Sequence, residues 1–149
     1  MNSYEGPGAY VIISKSNGRP IGRHLVEDRS LNPKYILCLP QNAFEESDYT
    51  WQIQPGENGS LKMMTRGGTC VVMNGELKAT LIPDMAEDFQ CEFKPTSDQS
   101  GCNIVSAADG LAWTLPDQEG AEPDELVKMV VEPLNGSQNQ VFELKRVEG

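Results

Sequence analysis

Gln140-Val141-Phe142-Glu143-Leu144-Lys145-Arg146 has two counterparts earlier in the chain, Tyr49-Thr50-Trp51-Gln52-Ile53-Gln54-Pro55 and Phe89-Gln90-Cys91-Glu92-Phe93-Lys94-Pro95. Each pairs a bulky or apolar residue with another two positions later, which puts both side chains on one face of a strand. Upstream of each lies a second echo: Leu37-Cys38-Leu39-Pro40, Thr80-Leu81-Ile82-Pro83 and Val130-Val131-Glu132-Pro133. The chain is therefore read as three copies of one unit, over residues of about 8–56, 57–97 and 98–149.

Each copy reads as four short strands. They fall at residues 9–14, 20–25, 35–39 and 49–54, then 61–65, 70–73, 79–82 and 89–93, then 102–106, 111–115, 126–132 and 140–144. Between the first two strands of each copy lie Asn17-Gly18, Gly67-Gly68 and Asp109-Gly110, dipeptides suited to tight hairpins. The other connections are rich in Pro, Gly, Asn and acidic residues, as solvated loops are. No window sustains a helical period; residues 85–89 offer one turn at most. The expected fold is all-β: a β-trefoil of twelve strands in three pseudo-repeats, with a closed six-stranded barrel capped by three hairpins. A small repeated β-unit cannot bury its apolar face alone, and closure removes exposed sheet edges. One domain over residues 1–149 is expected.

A formal net charge of -10 and twelve scattered Lys and Arg argue against nucleic acid or an anionic membrane as partner. There is no apolar run long enough to span a bilayer. The N-terminal Met1-Asn2-Ser3-Tyr4-Glu5-Gly6-Pro7-Gly8 has neither the basic nor the apolar region of a signal peptide, so a cytoplasmic location is expected. Cys38, Cys70, Cys91 and Cys102 all fall in predicted strands. Two disulfides are formally open to them, but in a cytosolic chain they read as small buried apolar side chains. No spacing is that of a zinc site, and no cofactor or metal is expected.

Catalysis finds little support. His24 is the single histidine and lacks an identifiable partner. The carboxylates cluster in predicted loops at Glu45, Glu46 and Asp48, at Asp84, Glu87 and Asp88, and at Asp117, Glu119, Glu122, Asp124 and Glu125, with nothing to select a glycosidase pair. Asp117-Gln118-Glu119-Gly120 lacks the alternating ligands of a calcium loop. The chain is expected not to be an enzyme.

Gly8-Ala9-Tyr10-Val11-Ile12, Ile21-Gly22-Arg23 and Glu27-Asp28-Arg29-Ser30-Leu31-Asn32-Pro33-Lys34 resemble the mushroom β-trefoil serine protease inhibitors of the cospin type. The trefoil pattern covers the whole chain; the specific resemblance is concentrated in the first repeat. It implies a reversible inhibitor of trypsin-like serine proteases, acting through the loop between the second and third strands. The matching residues are Val26, Glu27, Asp28, Arg29, Ser30, Leu31 and Asn32, with Arg29 as the specificity-pocket residue. Chemistry agrees, since an Arg meets the buried carboxylate of such a pocket with a charge-assisted, partly bidentate pair. Pro33 fixes its own φ and pushes Asn32 toward an extended conformation, stiffening one end. Glu27 and Asp28 count against it, because many trypsin-like enzymes tolerate acid poorly beside the cleaved bond. Arg23 and Lys34 are fallbacks nearer to strands, and Arg66 is a separate exposed candidate. The inhibitor is expected to be a monomer.

Two rivals remain open. A lectin similar to the ricin-B type needs Gln-x-Trp near the repeat ends, which only Gln140-Val141-Phe142 approaches; Trp51 reads as core and Trp113 as core or sugar platform. An inhibitor of cysteine proteases resembling clitocypin and macrocypin would use other loops, with Asn17-Gly18 and Asn74-Gly75 as conceivable contacts that turn chemistry explains equally well.

Overall fold

The computed structural model describes residues 4–23, 33–40, 45–56, 59–81, 89–96, 101–116 and 126–147. Its strands are β1 (Gly8–Ser14), β2 (Ile21–Gly22), β3 (Lys34–Tyr35), β4 (Leu37–Cys38), β5 (Trp51–Pro55), β6 (Leu61–Thr65), β7 (Gly68–Met73), β8 (Glu76–Thr80), β9 (Gln90–Pro95), β10 (Cys102–Ser106), β11 (Leu111–Thr114), β12 (Val127–Lys128), β13 (Val130–Pro133) and β14 (Phe142–Arg146). Short 3-10 turns at Glu46–Tyr49 and Gln138–Gln140 lead into β5 and β14. Antiparallel pairing runs β1–β5–β6–β9–β10–β14 and back to β1, closing a six-stranded barrel with no free edge. The hairpins β2–β4, β7–β8 and β11–β13 form the cap. This is a β-trefoil.

The register obeys the repeat. Trp51 lies opposite Tyr10 and Thr65, Cys91 opposite Leu61 and Ser106, and Phe142 opposite Cys102 and Ser14. Trp51, Cys91 and Phe142 are thus equivalent, each the third residue of the segments that open the sequence reading. Their side chains are fully buried with Ile12, Ile53, Met63, Ile104 and Leu144 in one core. Trp113 reaches the same core from the cap, with ring centroids 5.3 Å from Trp51 and 6.0 Å from Phe142.

At the apex the three hairpins share a ring of backbone hydrogen bonds. Ile36 N donates to Leu77 O (3.1 Å), Leu77 N to Met129 O (3.0 Å), and Met129 N to Ile36 O (2.9 Å). The ring explains why residues 35–39 and 126–132, each expected as one strand, are each broken into two: Ile36 and Met129 spend their backbone groups on the axis. It also corrects the second echo. Because Ile36, Leu77 and Met129 are equivalent, the second-copy counterpart of Leu37-Cys38-Leu39-Pro40 is Lys78-Ala79-Thr80-Leu81, two residues earlier than the sequence pattern suggests. A slip of two keeps every side chain on its face, so alternation alone cannot detect it.

The turns follow from residue type. β6 and β7 join through Arg66 and Gly67, with φ of 48° and 82°, one residue before the expected Gly67-Gly68. β7 and β8 join through Asn74 and Gly75, at φ of 54° and 77°. Two positive φ values in succession are the mark of a tight type I′ hairpin.

Candidate functional site

β2 and β3 bracket the expected inhibitory segment, and both ends are held. Ile21 pairs with Cys38 and Gly22 with Leu37, and a Cβ on Gly22 would come within 2.9 Å of Tyr49 Cβ. The next residue, Arg23, is buried; its Nη1 donates to Thr65 O at 3.1 Å and to Arg66 O at 2.9 Å. On the far side Pro33 is half-buried and Lys34, also buried, pairs in register with Ala79. Between these anchors, Val26, Glu27, Asp28, Arg29, Ser30, Leu31 and Asn32, together with His24, lie outside the described residues.

The structure removes both fallbacks. Arg23 and Lys34 are buried parts of the frame, and Arg19 is likewise buried, with Nε donating to Leu39 O at 2.7 Å and Nη2 to Cys38 O at 3.1 Å. Arg66 is exposed, but it sits at the left-handed first position of a tight hairpin. A segment recognised by strand addition runs extended through its specificity residue. Arg66 does not.

Contacts imagined for the rivals prove structural. Asn17 Oδ1 accepts from Arg19 N (3.0 Å) and Asn17 Nδ2 approaches Cys38 Sγ (3.5 Å), so Asn17 braces the β1–β2 turn. Asn74-Gly75 is the β7–β8 turn. Trp113 is fully buried, as is Trp51, so neither offers a sugar platform. Gln140 is also fully buried: its Oε1 accepts from Asn135 N (2.8 Å), and its Nε2 donates to Pro133 O (2.9 Å) and Thr114 Oγ1 (3.1 Å). That glutamine ties β11 to the β13–β14 connection. In the carboxylate cluster that is described, Asp48 Oδ2 accepts from Glu45 N at 2.9 Å, closing the turn before β5. The clusters at 84–88 and 117–125 lie outside the described residues.

All four cysteines are free and buried. Burial pushes the Cys91 and Cys102 thiols up to about 12, with the neighbouring Cys102 adding to the effect on Cys91, and burial also raises Cys38. Neutral thiols of this kind are packing groups, not nucleophiles. A cavity of about 470 Å³ at the foot of the barrel is lined by Tyr4, Leu61, Cys91, Phe93, Pro95 and Cys102. Around the barrel Leu61 and Cys102 take the places that Tyr10 fills with a larger ring, which leaves this room.

One surface group escapes the sequence reading. Exposed Tyr35 has Lys128 Nζ at 4.0 Å and Lys78 Nζ at 4.8 Å from its ring centroid. These residues flank Ile36, Leu77 and Met129 in the three copies, so only the corrected register brings them together.

A family model described as peptidase inhibitor I66 matches residues 6–146. The chain belongs to this family of peptidase inhibitors. Membership makes the I66 chain an inhibitor and not an enzyme. It is 29% identical over 144 residues to a serine protease inhibitor of Lentinula edodes, covering 95% of this chain and 97% of that one. Its fold superposes on the proteinase inhibitor from Coprinopsis cinerea with a TM-score of 0.81 at 27% identity, over 97% of this chain and 100% of the other. The Macrolepiota procera ricin B-like lectin, solved with lactose, gives a TM-score of 0.73 at 12% identity, over 97% of this chain and 99% of that one, a likeness of fold alone.

Proposed function

We propose that this I66 chain is a reversible inhibitor of trypsin-like serine proteases that offers residues 26–32 as a substrate-like loop, with Arg29 in the specificity pocket. The observation that carries the reading is the state of the competing cations. Arg19, Arg23 and Lys34 are buried on either side of the loop, and Arg66 turns left-handed. Arg29 is the remaining first-repeat arginine, and it lies outside the described residues. The anchors at Arg23 and at Pro33 and Lys34 favour tight binding, because a segment tethered near both ends loses less entropy on docking. The likeness to named serine protease inhibitors supports the enzyme class. The inhibitor acts as one domain and as a monomer, covering roughly 800 Å² of each partner.

The test is a titration of trypsin with the wild type and with Arg29→Glu, both checked for folding by circular dichroism. Stoichiometric inhibition by the wild type that disappears in the folded variant is the expected result. Equal inhibition by the two moves the function to another loop, and no inhibition by either rejects the trypsin reading.

A further inference from the structure

We infer that Tyr35, Lys78 and Lys128 form a second contact platform for the target protease, one that favours enzymes with carboxylates beside their cleft. This rests on residues 26–32 being the inhibitory loop.

The axis ring aims Ile36, Leu77 and Met129 inward, all fully buried, and Tyr35, Lys78 and Lys128 beside them turn toward the surface, whereas Leu37 stays buried. Tyr35 is 39% exposed there, Lys128 is exposed and Lys78 is half-buried. Among the described residues neither ammonium group takes part in an ion pair; both instead approach the Tyr35 ring. Glu76, half-buried and opposite Val130 in register, is the described carboxylate adjacent along these cap strands. Among the described residues, two ammonium groups on one aromatic ring are a local reversal of sign in a chain of formal net charge -10.

Position links this platform to the loop. Each residue spans at most about 3.6 Å, so the Tyr35 Cα lies within about 11 Å of the Asn32 Cα whatever path the chain takes. A footprint of roughly 800 Å² is a patch about 30 Å across. A footprint that takes in Asn32 is therefore wide enough to take in the platform. Tyrosine is over-represented among residues that dominate binding, and a ring already held by two cations is fixed before the partner arrives. Lys78 and Lys128 supply the selectivity, since complementary charge at the margin of an interface chiefly speeds association.

The experiment compares the wild type, Tyr35→Ala, the double variant Lys78→Glu/Lys128→Glu and Arg29→Glu. Each is assayed against one acidic and one basic trypsin-like enzyme at low and high salt. The charge reversal is expected to slow association with the acidic enzyme about tenfold at low salt, a difference that salt removes. Tyr35→Ala is expected to weaken inhibition of both enzymes about tenfold. A water-soluble carbodiimide should join Lys78 or Lys128 to protease carboxylates in the wild-type complex. If both platform variants inhibit like the wild type while Arg29→Glu is inactive, the platform is refuted and the loop reading stands. If Arg29→Glu inhibits normally, or the wild type inhibits neither enzyme, the loop reading fails and the platform with it. Self-association of the wild type that the charge reversal abolishes, with inhibition unchanged, assigns the face to a second copy and overturns the proposal.

Discussion

Trp51 and Trp113 make a matched pair for separating the value of a buried hydrogen bond from that of buried volume. Both are fully buried, and their rings touch at 5.3 Å between centroids. Trp51 Nε1 donates to Ile21 O at 2.9 Å, whereas Trp113 Nε1 is buried with no hydrogen-bond partner among the described residues. Replacing either by Phe removes about 40 Å³, a cavity cost of about 1 kcal/mol that is common to both. The polar consequences differ in sign. Trp51→Phe strips a donor from the buried Ile21 carbonyl, while Trp113→Phe deletes an unsatisfied donor, and each such change is worth about 1–3 kcal/mol. Trp51→Phe should thus be less stable than Trp113→Phe by at least about 2 kcal/mol, or about 4–8 °C in Tm for a chain of this size. Urea unfolding followed by far-ultraviolet circular dichroism at constant slope reads the gap directly. Equal losses, or a larger loss in Trp113→Phe, would refute the reasoning and show that the Trp113 indole is satisfied in solution.

Three further outcomes follow from the geometry. Arg23→Met should lose about 2–4 kcal/mol, because two charge-assisted bonds to the β6–β7 turn vanish; on the proposed function it should also weaken protease inhibition, checked by inhibition titration on folded protein. Gly75→Ala meets no atom within 4 Å and should cost only the strain of its φ of +77°, about 1–2 kcal/mol, most of it recovered in Gly75→Asn; Gly101→Ala would drive a Cβ to 2.7 Å from Phe142 O, so Gly101→Asn should give no recovery in a thermal melt. The Cys91 and Cys102 thiols ionise near 12 when folded but near 9.0 when released, so the unfolded chain holds fewer protons above pH 9 and stability falls from about pH 9 toward 12. Cys91→Ala/Cys102→Ala should flatten that decline in urea midpoints measured across the range.

The inward face of the barrel was legible in the residues. Trp51, Cys91 and Phe142 were aligned correctly because strand alternation is a local property, visible wherever one face is buried. Turn positions were legible within a residue, since positive φ selects Gly and Asn. What alternation cannot carry is register. Lys78-Ala79-Thr80-Leu81 and the stretch two residues later alternate alike, and only the hydrogen bonds among Ile36, Leu77 and Met129 choose between them.

The same limit governs the site. The sequence by itself determined the repeat, the all-β class and the buried cysteines. Tertiary structure decided which cations are spent on the frame. Nothing local marks Arg23 as buried, for its partners are the Thr65 and Arg66 carbonyls of another repeat. Likewise Tyr35, Lys78 and Lys128 belong to three different copies and meet only at the axis. Local chemistry writes the face of each strand, and contacts between distant repeats write which side chains remain for a partner.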